Sequence, residues 1–330
     1  MESIISMFPS LAPIVNSLPC AIILLVIGFV FLIKGADFFV DGSSGVAKKL
    51  RIPSIIIGLT IVAMGTSLPE AAVSISASLQ GSNEIAISNV VGSNIFNLMV
   101  VVGFCATMAP VMVSKEMIVR DIPISIGAAG LLLVLGAIGM SVGRIDAAVL
   151  AVLFVAYIVF LVSIALKARK ASAETEEEEE KLRPVWQCIL FIVFGAAAII
   201  IGGDVVVYNA KTIAYAVGMS ENLVGLTIVA VGTSLPELVT SIVAARKKEV
   251  ELSLGNAIGS NVFNILMILG LSGLFSPLAM ITENIIDIIV LIAVSVLVWL
   301  VCLWKKKLNR VTGISMILIY VAYVVYIALR

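Results

Sequence analysis

The chain has 330 residues, of which 61% are hydrophobic and 13% are charged, and its mean hydropathy is +1.18. This composition excludes an ordinary soluble domain and is typical of a protein with many membrane-spanning helices. The 21 basic and 21 acidic residues cancel, so bulk charge does not favour nucleic acid as a partner, and the absence of histidine removes the usual group for proton transfer near neutral pH.

Apolar runs predict ten membrane-spanning helices of roughly 20 residues each. In chain order they cover residues 17–40, 52–79, 85–109, 121–140, 146–167, 185–209, 220–245, 251–274, 283–303 and 311–328. A polar segment with six glutamates at positions 174–180 separates the first five spans from the last five, and we interpret it as a solvated linker. The predicted organisation is therefore a first half (1–167), a linker (168–184) and a second half (185–330).

The second and third spans recur as the seventh and eighth. Gly58–Gly103 aligns without a gap to Gly225–Gly270, at an offset of 167 residues and with about half the positions identical. Both copies contain the motifs GTSLPE and GSN[IV]FN. Because each half has an odd number of spans, the second copy must be upside down relative to the first, as in the inverted repeats of secondary transporters. The predicted fold is an all-α membrane protein with ten transmembrane helices arranged as two inverted five-helix repeats.

The distribution of lysine and arginine predicts the orientation. When the loops are numbered alternately, 17 basic residues fall on one side and three on the other. Cytoplasmic loops carry the excess of positive charge. We therefore predict that both termini lie on the outer face of the cell membrane and that the acidic linker is cytoplasmic.

Each half places one carboxylate in the middle of an apolar run, at Glu70 and Glu237. An ionised carboxylate is costly in hydrocarbon, so such a side chain normally faces the protein interior or a wet cavity. Each glutamate directly follows a proline, which lacks an N–H and frees a backbone carbonyl in the preceding turn. Carboxylate, carbonyl, hydroxyl and amide oxygens together suit hard cations such as Ca2+ and Na+. The residues thus predict a cation site near mid-membrane.

With GTSLPE and GSN[IV]FN in both halves, the chain resembles the prokaryotic sodium/calcium exchangers of the cation/calcium antiporter superfamily. The resemblance implies a secondary active antiporter that exchanges Na+ for Ca2+ by alternating access and extrudes calcium electrogenically. It also implies that the first and sixth spans move against a core that carries the site. Neither a nucleophile with its base nor a transition-metal cluster is visible. We therefore predict a transporter rather than an enzyme. We expect it to need no cofactor and no obligate protein partner, and to lie in the lipid bilayer.

The resemblance also implies a set of ion ligands. Glu70 and Glu237 would bind Ca2+ directly. The matching positions that would surround them are Thr66, Thr233, Asn97, Asn264, Ser67, Ser234, Ser93, Ser260 and the backbone carbonyls of Ala63 and Ala230. Many sodium/calcium exchangers have aspartate at the position of Asn264, so this chain would have two central carboxylates where those relatives have three.

Three alternatives stay open at this point. A proton/calcium antiporter of the same superfamily is disfavoured by the lack of histidine, although glutamate alone can carry protons. Dependence on potassium is left open by the asparagine at position 264. A passive cation channel usually surrounds its filter with several subunits, whereas this chain duplicates the site within itself.

Other polar residues recur in both halves. We expect Asn89 and Asn256 to hydrogen-bond the broken backbone inside the third and eighth spans. Lys34 and Asp37 lie three residues apart, a spacing that predicts a local ion pair on a helix.

Overall fold

A computed structural model describes residues 17–81, 83–172, 183–219 and 230–330. The first half contains α1 (Leu18–Leu50), α2 (Ser54–Thr66), α3 (Leu68–Leu79), α4 (Asn83–Met108), α5 (Met117–Ala137) and α6 (Arg144–Ser172). The second half contains α7 (Val185–Ala216), α8 (Ala230–Thr233), α9 (Leu235–Arg246), α10 (Val250–Phe275), α11 (Thr282–Lys305) and α12 (Arg310–Leu329). The strands are β1 (Val111–Met112), β2 (Ser141–Val142), β3 (Leu278–Ala279) and β4 (Lys307–Leu308).

The described helices form a multi-pass membrane protein. Eight of them are long and apolar enough to cross a membrane, and α2 together with α3, bent by 48°, is a candidate for a ninth span. The predicted span at 220–245 begins outside the described residues, which include only its later part as α8 and α9. The count of ten spans therefore stays a prediction, as does the division into two inverted repeats.

The element order of the two halves agrees beyond the duplicated motifs. Each half has a long first helix, a helix broken at a serine, a third helix with an internal π-helical segment, and two further long helices. Short strands connect the halves, because β1 pairs antiparallel with β4 and β2 pairs antiparallel with β3. The sequence analysis predicted no strand, because strands of two residues are too short to show an alternating pattern of polar and apolar residues.

The first helix of each half is longer than predicted. The spans expected at 17–40 and 185–209 extend to Leu50 and Ala216 respectively. The boundary was wrong because the apolar run ends before the helix does. In α1 the extension includes Lys48 and Lys49, whose charge in the last turn is favourable at a helix C-terminus.

The helices α4 and α10 form the centre of the protein. In these two helices 72% and 78% of the membrane-spanning window is buried, against 22% in α1 and 28% in α7. Helix α2 crosses α10 very closely. A Cβ atom added to Gly255 would lie 2.6 Å from the carbonyl oxygen of Ile55, so only glycine permits this approach. The crossing brings the broken helix of the first half against the central helix of the second.

Ion pairs fasten the basic end of α1 to the turn between α9 and α10. The predicted pair of Lys34 and Asp37 forms at 3.9 Å. Lys247 also reaches Asp37 at 3.4 Å and Asp41 at 2.8 Å. Glu249, from the same turn, lies 3.5 Å from Lys48. The first helix is therefore attached at this end to the second half of the chain.

Candidate cation site

The two membrane-embedded glutamates lie at an interface between the halves. Glu70 and Glu237 are fully buried, and each lies in the first turn of a short helix that starts after a break. Ser234 donates a hydrogen bond of 3.1 Å to Oε1 of Glu70, and Ser67 donates one of 3.1 Å to Oε1 of Glu237. Each carboxylate is thus hydrogen-bonded by the serine that interrupts the broken helix of the other half.

The local sequence explains these helix breaks. Ser67 and Ser234 have ψ angles of 5° and 6°, outside the α-helical range, and a proline stands two residues later. A proline interrupts the preceding hydrogen bonds because it lacks an N–H. The new helix then places its glutamate in the first turn, where the helix dipole favours negative charge.

A second serine supports each carboxylate from the central helices. Ser93 on α4 donates to Glu70 Oε1 at 3.2 Å, and Ser260 on α10 donates to Glu237 Oε1 at 3.5 Å. The Ser93 and Ser234 hydroxyl oxygens also lie 2.8 Å apart, so either hydroxyl can donate to the other in place of the carboxylate. The four predicted serines therefore surround the two carboxylates in a nearly symmetric way.

Asn89 and Asn256 bond the backbone, but at the glutamates on α3 and α9 rather than inside the third and eighth spans, where these bonds were expected. Asn89 Nδ2 lies 3.4 Å from the carbonyl oxygen of Glu70, and Asn256 Nδ2 lies 3.3 Å from that of Glu237. Asn256 also accepts a hydrogen bond of 3.0 Å from Thr66 Oγ1. These amides hold α4 to α3 and α10 to α9, which fixes the position of each glutamate.

Several oxygen atoms at the candidate site are buried and have no hydrogen-bond partner among the described residues. They are Oε2 of Glu70 and Glu237, Oγ1 of Thr233 and Oδ1 of Asn97 and Asn264. Buried polar atoms are normally paired. Carboxylate, hydroxyl and amide oxygens are the donor types that suit a hard cation.

The remaining predicted ligands are placed as follows. The Ala63 carbonyl accepts a hydrogen bond of 3.0 Å from the N–H of Ser67, so it takes part in the last turn before the break. The Thr66 hydroxyl has one proton, for which the Val62 carbonyl at 3.1 Å is a second acceptor beside Asn256 Oδ1. Ala230 is the first residue of α8, directly after residues outside the described part. Their role as ligands stays a prediction.

Two residues that sequence reasoning missed lie where α4 and α10 meet. Asn94 Nδ2 donates to the carbonyl of Asn261 at 3.1 Å, and Asn261 Nδ2 donates to the carbonyl of Asn94 at 3.2 Å. Asn264 Nδ2 donates to Asn94 Oδ1 at 3.0 Å. The signal was present, because Asn94 and Asn261 are the first asparagines of the two GSN[IV]FN motifs, but nothing in the sequence indicated that they contact one another.

Both predicted amide ligands begin π-helical segments, Asn97–Val101 in α4 and Asn264–Leu269 in α10. Such segments commonly occur at functional sites.

No cluster of three or more His, Cys, Asp or Glu side chains that could hold a metal occurs in the described part of the chain.

Comparison with known proteins agrees with this geometry. The family profile described as sodium/calcium exchanger protein matches residues 20–163 and 187–329. The chain belongs to the sodium/calcium exchanger family. It is thus a multi-pass cation/calcium antiporter, and its family consists of transporters rather than enzymes.

Individual relatives align with nearly the whole length of this chain. The sodium/calcium exchanger MaX1 of Methanosarcina acetivorans is 35% identical over 341 residues, which covers 92% of this chain and 97% of that protein. The inner membrane protein YrbG of Escherichia coli is 34% identical over 305 residues, covering 89% and 92% respectively. A structure of the sodium–calcium exchanger NCX_Mj soaked with Na+ and Sr2+ superposes with a TM-score of 0.82 at 31% identity, covering 94% of this chain and 99% of that one.

Proposed function

We propose that this exchanger moves Ca2+ in one direction and Na+ in the other through a single site between Glu70 and Glu237. The observation that carries the proposal is the pair of carboxylates, each fully buried and each hydrogen-bonded by a serine of the opposite half. Because one oxygen of each carboxylate has no hydrogen-bond partner among the described residues, both glutamates retain an atom with which to bind a cation. Calcium and sodium would compete for the same oxygens, which couples their movement.

The charge of the site bears on the stoichiometry. Two carboxylates neutralise one Ca2+ ion, and exchange for more than two Na+ ions would move net charge across the membrane. We propose that transport is electrogenic and that the sodium gradient drives calcium out of the cell. Thr66, Thr233, Asn97 and Asn264, the four serines, and the carbonyls of Ala63 and Ala230 would complete the calcium and sodium positions.

Alternating access would come from movement of α1 and α7 against the core. These two helices pack against one another, and most of their membrane-spanning surface is exposed, whereas α4 and α10 are mostly buried. Movement of this pair would have to break the ion pairs between α1 and the turn that holds Lys247 and Glu249, but need not disrupt the packing of the central helices. Since one chain carries both carboxylates, we propose that it needs no other subunit, with its termini outside and its acidic linker inside the cell.

The test is transport in liposomes containing the purified exchanger. Uptake of radioactive calcium would be measured against an imposed gradient of Na+, K+ or protons, with the membrane potential clamped. We expect uptake to require internal Na+ and to respond to the potential. Uptake driven by a pH gradient without sodium would favour a proton/calcium antiporter, and a requirement for K+ would favour a potassium-dependent one. Calcium flux that needs no counter-ion would indicate a channel and contradict the proposal.

A further inference from the structure

The basic end of α1 is joined to the turn between α9 and α10 by a lysine that contacts two aspartates. Lys247 Nζ, in that turn, lies 2.8 Å from Asp41 Oδ1 and 3.4 Å from Asp37 Oδ1. The same ammonium group donates a hydrogen bond of 2.9 Å to the backbone carbonyl of Asp37. Lys34 also pairs with Asp37, at 3.9 Å, but both residues belong to α1. Lys247 is therefore the partner that connects Asp37 to the second half of the chain.

Glu249 makes a second connection from the same turn. Its carboxylate lies 3.5 Å from Lys48 Nζ and accepts a hydrogen bond from the Ser44 hydroxyl, both on α1. The Ser54 hydroxyl, at the start of α2, lies 3.4 Å from the other carboxylate oxygen. Lys247 and Glu249 thus each find the opposite charge on α1. We call the charged members of this contact the α1 latch: Asp37, Asp41, Lys48, Lys247 and Glu249.

Partial burial and shared charges strengthen this contact. Isolated ion pairs on a protein surface contribute little, because water screens them and the long side chains lose freedom, whereas several charges in a network contribute more. The side chains of Lys247 and Glu249 are 29% and 18% exposed, against 70% for Lys34, whose ion pair stays within α1. The α1 latch therefore holds α1 more firmly than an isolated surface pair would.

The equivalent end of α7 has no counterpart of the α1 latch. At the offset of 167 residues, only Asp37 has a charged equivalent, Asp204. The other four positions are occupied by side chains that are uncharged at neutral pH, namely Tyr208, Tyr215, Gln80 and Ser82. The two halves therefore differ in this contact, although they agree in their elements and in both motifs.

A contact that only one half makes changes the balance between two access states. Under the proposed function, on which this inference rests, α1 and α7 move against the core and the two halves exchange their roles. A contact present in both halves would favour neither state. A contact present in one half favours the state that contains it, by as much as its strength differs between the two states.

We propose that the α1 latch biases the exchanger toward the state in which the basic end of α1 is closed against the turn between α9 and α10. The cation site then opens toward the opposite face, which is the outer face in the predicted orientation. Opening toward the basic end requires Lys247 and Glu249 to release α1 in each transport cycle. The α1 latch thus sets the ratio of the two states and does not touch the transported ion.

The ratio of the two states can be measured with spin labels on the full-length exchanger. Labels would be attached through an unnatural amino acid at positions 49 and 115, so that the native cysteines stay in place. Lys49 lies on α1, Lys115 precedes α5, and both are exposed. Pulsed electron paramagnetic resonance would then give the distance distribution in choline buffer without Na+ or Ca2+. The attached state is the population with the distance of the present structure.

Lys247→Met and Lys34→Met form a matched pair of variants. Both remove an ammonium group that contacts Asp37 and keep an apolar stem, but only Lys247 connects α1 to the second half. We expect Lys247→Met to lower the ratio of attached to detached population by roughly two- to tenfold, because one exposed ion pair contributes up to about fivefold and Lys247 makes two. Lys34→Met should leave the ratio nearly unchanged. Equal distributions in the two variants, or no change in either, would overturn the inference.

Charge exchange tests the same contact from both sides. Lys247→Glu would repel Asp37 and Asp41 and should reduce the attached population further than Lys247→Met does. Adding Asp41→Lys restores an attractive pair and should return part of that population. A double variant that stays as detached as Lys247→Glu alone would contradict the role of the α1 latch. If Lys247→Met does not fold, Asp37→Asn is compared with Lys34→Met instead.

Transport separates this inference from the proposed function. If the unmodified chain in liposomes takes up no calcium against internal Na+, the proposed function fails, whereas the distance comparison still decides whether Lys247 holds α1. We expect the unmodified chain and Lys247→Met both to transport calcium, with the distance distribution shifted in Lys247→Met. If both transport calcium and the distribution is the same in Lys247→Met as in Lys34→Met, the inference alone is wrong.

Discussion

Replacement of Glu70 by glutamine removes one of the two charges at the candidate site and little else. Glutamine has nearly the same shape and retains a carbonyl oxygen that can accept the bonds of 3.2 Å from Ser93 and 3.1 Å from Ser234. The fold should therefore survive. A bound Ca2+ ion would then face one carboxylate, and one of its two charges would be uncompensated.

The expected loss of calcium affinity can be estimated from the free-energy cost of removing one partner of a buried ion pair. Removal of one partner of such a pair costs about 3–5 kcal/mol. This corresponds to a weakening of roughly 140-fold to 3,700-fold at 1.4 kcal/mol per tenfold. Because the hydrogen bonds around the two carboxylates mirror one another, Glu237→Gln should weaken binding by a similar factor.

Calcium binding to the purified variants would be measured by titration calorimetry, with sodium-driven calcium uptake in liposomes measured in parallel. Thermal unfolding in the absence of calcium serves as the control for folding. Loss of binding together with an unchanged unfolding temperature would support the site assignment. A Glu70→Gln variant that folds and transports calcium at the unmodified rate would refute it.

Two further predictions concern the support of the site and the packing of the core. Ser234→Ala removes a hydroxyl donor to the Glu70 carboxylate, and since hydrogen bonds to charged groups contribute about 1.5–3 kcal/mol, we expect calcium affinity measured by calorimetry to fall by roughly tenfold or more. An unchanged affinity would mean that this serine does not orient the carboxylate. Gly255→Ala places a methyl group 2.6 Å from a carbonyl oxygen on α2 and should lower the unfolding temperature, whereas Gly127→Ala on α5, which has no atom within 4 Å of the new methyl group, should not. Equal effects would contradict the close helix crossing.

The burial of the two glutamates could be predicted from the sequence, because a charged side chain is costly to place in lipid. A carboxylate after a proline in an apolar run has few places to lie, so the pattern assigns Glu70 and Glu237 to the protein interior. The duplication supplied the expectation that they meet. The hydrogen bonds between each glutamate and the opposite serine are the structural counterpart of that expectation.

Other features depend on contacts between distant segments and could not be predicted. Asn94 and Asn261 lie within the recognised motifs, but their reciprocal amide bonds exist only because α4 and α10 meet at that point. The π-helical segments were missed because the residues within them have ordinary helical composition. The extension of α1 to Leu50 was missed because hydrophobicity reports where the lipid ends, whereas the helix continues beyond it.

The central claim is that one cation is held jointly by the carboxylates of the two halves. The most direct measurement is a crystal structure of the exchanger with bound Sr2+ in place of Ca2+, located by its anomalous scattering. We predict a single strong peak at roughly the 2.3–2.6 Å typical of calcium–oxygen bonds from a carboxylate oxygen of both Glu70 and Glu237. A peak that contacts neither glutamate, or glutamates that face away from one another in that crystal, would contradict the account.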